Sequence, residues 1–213
     1  MTPVYFIPGM GTTSEVFSDL DLDKEYRFLE FLEPFKDENL SQYATRMNES
    51  IQHKEEIILV GMSMGGFIAQ EIAALRPVKK IILISSFSKG QDWQYFLKWI
   101  KKYNITDLMT QRAFKDIIMS TLYVLPGYSS TIRKKSIEMA KTFSKEYFEF
   151  AAKQLLGWTP ISVNSEVVQI HGSHDELFPI ASFQPKYTID RGGHLMIFTH
   201  SKEISQILKT ELA

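Results

Sequence analysis

The sequence contains no cysteine among its 213 residues, so disulfide bridges, thiolate metal sites and a cysteine nucleophile are all excluded. It also has no excess of either charge, because 24 basic and 25 acidic residues give a formal net charge of −1. This balance argues against nucleic-acid binding as the main function. A long uninterrupted apolar run is missing too. The most apolar stretch, residues 57–75, contains a serine, three glycines, a glutamine and a glutamate, which argues against a membrane span.

The N-terminus lacks the features of a targeting sequence. Residues 1–11 have no basic segment followed by a long apolar run and a small-residue cleavage site, so no signal peptide is predicted. Together with the absence of disulfides, this favours a cytoplasmic location. Hydrophobic residues make up 44% of the chain and charged residues 23%, which is typical of one globular domain with a sizeable core.

Short apolar segments alternate with helical patterns over most of the chain. Strands are predicted at residues 4–7, 26–32, 56–60, 80–85, 167–170 and 187–189. Helices are predicted at residues 41–52, with Ser41 as N-cap, and at residues 67–75 and 202–212. This alternation is typical of parallel strands joined by right-handed crossovers. Residues 88–158 interrupt it with helical periodicity and no convincing strand, which indicates a helical insertion.

A nucleophile turn is the first motif that carries chemistry. Gly61-Met62-Ser63-Met64-Gly65 matches the G-x-S-x-G pattern, and it lies between an apolar strand and an apolar-striped helix, as the motif requires. A serine at such a sharp turn has a strained backbone, and glycines two residues away on each side remove the collisions. The alternative is an ordinary turn in which small residues allow close packing. We therefore predict Ser63 as a nucleophile.

A second glycine-flanked turn follows the first strand, at Pro8-Gly9-Met10-Gly11. At the carboxyl edge of an α/β sheet, such a turn can point a backbone N–H into the ligand crevice. We predict that the N–H groups of Met10 and Met64 form an oxyanion hole. A plain turn without this role is the alternative.

Two later loops supply the base and acid that a serine nucleophile needs. Asp175 follows the strand at residues 167–170, and His194 follows the next strand after two glycines. The order Ser, Asp, His is the order in which triad residues follow a nucleophile turn of this kind. His171 and His174 are the rivals of His194, and Asp92 is the reserve acid.

His53 and His200 are weaker candidates for the base. His53 is predicted at the opposite edge of the sheet, and His200 as a cap or surface residue of the last helix. Metal and organic cofactors are not predicted, because the sequence has neither paired zinc-ligand spacing nor a phosphate-binding loop.

These motifs resemble the α/β-hydrolase superfamily, and in particular its small esterase and thioesterase branch, which includes pimeloyl-carrier methyl ester esterases. The resemblance implies a mostly parallel sheet with helices on both faces and a helical lid inserted after the sixth family strand. The sequence begins at the family's third strand, so the N-terminal edge of the sheet is expected to be shortened. The implied domains are a core of residues 1–87 and 161–213 and a lid of residues 88–160.

The insertion is rich in aromatic and basic residues. Large rings over a catalytic crevice can form an acyl pocket, although many of them are expected to form the core of the insertion itself. The candidate pocket residues are Phe87, Trp93, Phe96 and Phe178. Residues 88–160 carry a charge balance of +6, which could attract an acyl carrier protein or coenzyme A, although such a run is usually a solvated face.

Three functions are compatible with these motifs. The favoured one is a serine hydrolase that cleaves an ester or thioester of a small or medium acyl group through an acyl-enzyme at Ser63. An acyltransferase or lyase with the same triad is the second. A non-catalytic ligand-binding protein on the same fold is the third, since fold alone does not determine function.

Overall fold

A six-stranded parallel sheet forms the centre of the protein. The computed structural model describes residues 2–23, 25–88, 128–159, 161–180 and 184–213. The strands are β1 (Val4–Ile7), β2 (Arg27–Phe28), β3 (Ile57–Met62), β4 (Val78–Ile84), β5 (Glu166–Gly172) and β6 (Tyr187–Ile189). Their order is β2-β1-β3-β4-β5-β6, and every neighbouring pair is parallel. The carboxyl ends of all six strands therefore lie at one edge.

Helices cover both faces of this sheet. They are α1 (Leu40–Glu49), α2 (Met64–Ala73), α3 (Ser130–Lys141), α4 (Lys145–Gly157), α5 (Met196–Thr199) and α6 (Ser201–Glu211), with a 3-10 turn at Ser14–Phe17. None of the helices in the described ranges is both long and apolar enough to cross a membrane.

Each face of the sheet has its own apolar cluster, because successive strand residues point to opposite sides. On β3, Ile57 and Leu59 belong to one cluster, whereas Ile58 and Val60 belong to the other. The first cluster includes side chains of α1, α2 and α4, and the second includes those of α5 and α6. The continuous apolar strands predicted from the sequence are explained by this two-sided burial.

Helices α3 and α4 lie within the predicted insertion. Ala140, Tyr147 and Phe148 are almost fully buried in the same cluster as Tyr5 and Phe67 of the sheet domain. The described part of the insertion is thus packed against the sheet face. The division into a core of residues 1–87 and 161–213 and a lid of residues 88–160 stays a prediction.

Several boundaries differ from the sequence prediction. The strand predicted at residues 26–32 is reduced to β2, because only Arg27 and Phe28 pair with β1. The N-cap of the first helix lies two residues before the predicted Ser41. Asn39 is its N-cap, and Asn39 and Gln42 form a reciprocal capping box. Helix α2 begins directly after Ser63, earlier than the predicted residue 67.

Candidate active site

Ser63 lies in a strained turn between β3 and α2. Its φ of 49° and ψ of −119° are rare for a residue with a side chain. A Cβ atom at Gly61 would lie 2.5 Å from the Gly65 carbonyl oxygen, and one at Gly65 would collide with the carbonyl oxygens of Ile7 and Pro8. Glycine at position 61 therefore lets the strand lie close to the start of α2, and glycine at position 65 lets the turn lie close to the end of β1.

Residues at the end of β4 and just after it bind the backbone of this turn. The N–H of Ser63 donates to the Ile84 carbonyl at 2.9 Å, and the Ser86 hydroxyl donates to the Ser63 carbonyl at 2.8 Å. Ser85, with a φ of 47°, is a second non-glycine residue in a strained conformation, and it is fully buried. Hydrogen bonds from neighbouring chain segments thus fix the backbone at the nucleophile position.

Ser63, His194 and Asp175 form one hydrogen-bonded line. The Ser63 Oγ and His194 Nε2 atoms are 3.0 Å apart. The His194 Nδ1 atom lies 3.0 and 3.1 Å from the two carboxylate oxygens of Asp175. When Nδ1–H donates to this carboxylate, Nε2 is left as the acceptor for the serine hydroxyl. The structure therefore brings together the three residues predicted from separate parts of the sequence.

The acid and the base shift each other's pKa in opposite directions. Burial alone would lower the pKa of His194, but the charge and hydrogen bond of Asp175 outweigh it, and the net pKa is raised. Burial alone would raise the pKa of Asp175, but interaction with His194 and backbone N–H groups lowers it overall. Asp175 is therefore ionised at neutral pH and stabilises a positive charge on the imidazole.

The loop after β5 fixes the Asp175 carboxylate. Its Oδ1 atom accepts the N–H groups of Leu177 and Phe178 at 2.9 and 2.8 Å. His171 lies beneath this loop, with Nε2 2.7 Å from the Phe178 carbonyl oxygen and 3.4 Å from Asp175 Oδ2. Burial lowers the pKa of His171, so its ring is neutral and acts as a hydrogen-bond donor to the loop.

The other histidines contact different partners. His174 is exposed and lies 3.0 Å from the Ser173 hydroxyl. His53 contacts the Tyr5 hydroxyl, and His200 contacts the Thr199 hydroxyl. Asp92, the reserve acid, lies outside the described residues. Among the histidines, it is thus His194 that the structure places against Ser63.

The predicted oxyanion loop lies beside the nucleophile. Residues 9–12 form a tight turn, closed by hydrogen bonds from the Thr12 N–H and hydroxyl to the Gly9 carbonyl. Gly11 has a φ of +70°, which suits glycine at the third position of such a turn. A Cβ atom at Gly9 would lie 3.3 Å from the Ser63 Cβ atom. The loop that carries Met10 is therefore in direct contact with the nucleophile turn.

Met64 is the first residue of α2. The first N–H groups of a helix have no partner within the helix, so the Met64 N–H can donate to a ligand. The positive end of the helix dipole also lies at this position and favours a developing negative charge.

An aromatic cluster lies next to the imidazole. The Phe178 ring contacts His194 edge-on, with ring centroids 5.1 Å apart, and Phe87 contacts Phe178 edge-on at the same centroid distance. Trp158 stacks on Phe67 and donates from Nε1 to Glu71. Of the four predicted pocket residues, Phe178 thus lies at the site and Phe87 one ring further away. The other two, Trp93 and Phe96, lie outside the described residues.

Three residues near the site were not singled out by sequence reasoning. Ser86 follows β4 at the same sheet edge as Ser63, so its position was a usable signal. Glu176 and Tyr128 hydrogen-bond to each other and to the loop that carries His194. Their contact joins positions 48 residues apart, for which no local pattern exists. Within the described ranges, acidic and histidine side chains form no cluster that could hold a metal ion.

Comparison with solved structures identifies the fold. A hydrolase from Pseudomonas aeruginosa PA01 superposes with a TM-score of 0.73 and 13% identity, covering 100% of this chain and 90% of the other. MenH from S. aureus gives 0.70 and 17%, with coverage of 100% and 95%. The esterase EaEST from Exiguobacterium antarcticum gives 0.68 and 16%, with coverage of 99% and 91%.

The protein therefore has the α/β-hydrolase fold, as the sequence predicted. The identities are too low for these structures to carry more than the fold. No family model matches the sequence, and no match was found among curated proteins.

Proposed function

We propose that this protein is a serine hydrolase that cleaves an ester or thioester of a small or medium acyl group through an acyl-enzyme at Ser63. The observation that carries the proposal is the continuous line from the Ser63 hydroxyl through the His194 imidazole to the buried Asp175 carboxylate. A serine hydroxyl on a strained turn, hydrogen-bonded to an imidazole that a carboxylate orients, is the arrangement that acyl transfer to a hydroxyl requires.

In the first half of the reaction, the Ser63 oxygen forms a bond to the substrate carbonyl carbon while its proton moves to Nε2 of His194. The carbonyl oxygen takes up the negative charge and accepts hydrogen bonds from the Met10 and Met64 N–H groups. The imidazolium then gives its proton to the departing alcohol or thiol as the bond from carbon to oxygen or sulfur breaks. The acyl group is left as an ester on Ser63.

In the second half, His194 takes a proton from a water molecule, whose oxygen bonds to the acyl carbon. The tetrahedral intermediate breaks down, the Ser63 oxygen leaves, and the imidazolium returns the proton to it. Asp175 stays ionised throughout and stabilises the imidazolium at both stages. The products are a carboxylic acid and an alcohol or thiol.

Two features favour an apolar acyl group as the substrate. Phe178 packs against the imidazole and continues into a buried aromatic cluster, which provides an apolar wall beside the reacting atoms. Solved structures with the same fold include several esterases. We therefore favour acyl esters and thioesters over sugars or peptides.

Hydrolysis of p-nitrophenyl acetate and butyrate tests the proposal. We expect turnover by the wild type, and intact-protein mass spectrometry should detect an acyl adduct that maps to Ser63. The Ser63→Ala variant should show neither. A wild-type-like rate in that variant would contradict the mechanism.

The two alternatives give different results in the same assays. A transferase would form more ester than acid when an alcohol acceptor is added, and product analysis measures this ratio. A binding protein would retain a ligand but show no turnover and no adduct. A series of acyl chain lengths, as oxygen and thiol esters, then defines the preferred substrate.

Docking of an acyl carrier protein or coenzyme A at the basic insertion is a further part of the proposal. Of the run Arg133-Lys134-Lys135, the Lys135 ammonium already contacts Ser18 and Asp19 of the sheet domain. Catalytic efficiency on a carrier-bound substrate should fall steeply as ionic strength rises. A salt dependence equal to that of a simple ester would remove this part of the proposal.

A further inference from the structure

A carboxylate and a phenol hold the backbone of the loop that carries His194. The Tyr128 hydroxyl donates to Glu176 Oε1 at 2.9 Å and accepts the Leu195 N–H at 3.1 Å. The other carboxylate oxygen of Glu176 accepts the N–H of His194 at 3.1 Å. Two successive N–H groups of the loop are therefore bound by one connected pair of side chains.

The residue before the base fits this arrangement. A Cβ atom at Gly193 would lie 2.5 Å from the Tyr128 hydroxyl oxygen and 3.0 Å from Glu176 Oε2. A side chain at position 193 would therefore displace the phenol and the carboxylate, which pack directly over the backbone there. Glycine at this position is thus compatible with the close packing of Tyr128 and Glu176 against the loop.

The pair has no other role in the proposed reaction. Among the hydrogen bonds of the described residues, Asp175 binds the imidazole, whereas Tyr128 and Glu176 bind each other and the backbone N–H groups of Leu195 and His194. Tyr128 is nearly buried, so its hydroxyl is held in place. Its only partners among the described hydrogen bonds are this carboxylate and this loop.

We propose that Tyr128 and Glu176 are positioning residues that hold the backbone at residues 193–195 and thereby aim the His194 imidazole at Ser63. This inference rests on the proposed function for its effect on turnover. Its structural content, the orientation of the imidazole, can be measured without any substrate.

The first test compares Tyr128→Phe with Tyr187→Phe. The control is matched, because the Tyr187 hydroxyl also donates to a glutamate, Glu211, at 2.8 Å. This pair lies at the amino ends of the strands, away from Ser63. Loss of the Tyr128 hydroxyl removes one hydrogen bond within the pair and one to the loop, so kcat should fall roughly three- to tenfold with little change in KM. Tyr187→Phe should leave kcat unchanged.

The second test changes Glu176. Glu176→Ala removes the acceptor of the His194 N–H and should lower kcat roughly ten- to hundredfold. Glu176→Gln keeps the shape of the side chain but removes its negative charge. The other charged or titratable groups near the His194 imidazole are Asp175 and, beyond it, His171. Because the Glu176 charge raises the pKa of His194, this pKa should fall in the variant. Because the two side chains act as one unit, Tyr128→Phe combined with Glu176→Ala should be no slower than Glu176→Ala alone.

Nuclear magnetic resonance of the imidazoles separates the failure of this inference from failure of the proposed function. With five histidines, the Nδ1–H resonance and the titration of His194 can be followed in each variant. We expect both to change in the Tyr128 and Glu176 variants but not in Tyr187→Phe. Unchanged resonances and unchanged kcat in folded Tyr128→Phe would overturn the inference, even if the wild type hydrolyses esters. Changed resonances in a protein without esterase activity would support it and contradict only the proposed function.

Discussion

The two edges of the sheet each bury a carboxylate, but they surround it with different partners. At the carboxyl edge, the fully buried Asp175 pairs with the imidazole of His194. At the amino edge, the Glu211 side chain is 4% exposed and accepts Lys186 Nζ at 2.7 Å, Tyr187 Oη at 2.8 Å and Lys80 Nζ at 2.9 Å. The burial is similar, but the partners of Glu211 keep their protonation state near neutral pH.

The difference in partners separates a reactive arrangement from a structural one. Burial alone would raise the pKa of Glu211, but hydrogen bonds from Lys186, Lys80 and Tyr187 outweigh it and lower the pKa to about 2. The partner of Asp175 is instead an imidazole, whose ordinary pKa lies nearer to neutral pH than that of an ammonium or a phenol, so it can take up and release a proton during a reaction. Substitutions at the carboxyl edge should therefore change rate, and those at the amino edge should change stability.

The largest effect is expected from removing the nucleophile or the base. Ser63→Ala and His194→Ala should each lower kcat for p-nitrophenyl butyrate by roughly 10⁴-fold or more, because each ends the covalent route. The double variant should be no slower than either single variant, since the two groups act in the same step. The melting temperature of Ser63→Ala should stay close to that of the wild type. An additive loss in the double variant would contradict a shared step.

Asp175→Asn should have the next largest effect, a loss of roughly 10³–10⁴-fold in kcat. The amide can present N–H to the imidazole, which favours the wrong tautomer, and it no longer stabilises the imidazolium. Steady-state kinetics measures the loss, and KM should change little. A rate close to the wild-type rate would show that Asp175 only supports the loop through the Leu177 and Phe178 N–H groups.

The carboxyl edge was largely predictable from the sequence, because its motifs are local. Each site residue follows an apolar strand, and parallel strands bring their carboxyl ends together. The start of α2 was missed because glycines at positions 65 and 66 lower the helix propensity. A Cβ atom at Gly66 would clash with Ser86, so close packing overrides that propensity. Such a contact, between residues of different elements, leaves no local pattern.

The amino edge and the Tyr128–Glu176 pair were not predictable for the same reason. Lys80 and Glu211 are 131 residues apart, and neither has a distinctive neighbour in the sequence. The boundaries of β2 depend on how much of an edge strand finds a partner, and only two residues do. The N-cap at Asn39 is the exception, since the Asn-x-x-Gln pattern of its capping box is a local signal in the sequence.

Glu211→Gln tests the amino edge and should destabilise the protein by about 2–3 kcal/mol at pH 7, because Lys80 loses a buried partner, with kcat unchanged. The pKa of Glu211 is lower in the folded state, so its contribution is complete above about 4.5 and is lost as pH falls towards about 2. Urea unfolding of wild type and variant across this range measures the difference. A constant difference would contradict the assigned ion pairs, and Glu203→Gln, an exposed carboxylate on the same helix, is the control.

The smallest effect concerns the acid limb of the pH profile. The pKa of His194 is raised above its ordinary value of 6.5, and the ring must be neutral to accept the Ser63 proton. Hydrolysis should therefore decline as pH falls, with a midpoint in kcat/KM above 6.5. Glu211→Gln should not move this midpoint, whereas Asp175→Asn should lower it, because burial then acts without the opposing carboxylate. A midpoint that follows Glu211 instead of Asp175 would mean that the two edges are electrostatically coupled, and the separation between a reactive and a structural carboxylate would no longer hold.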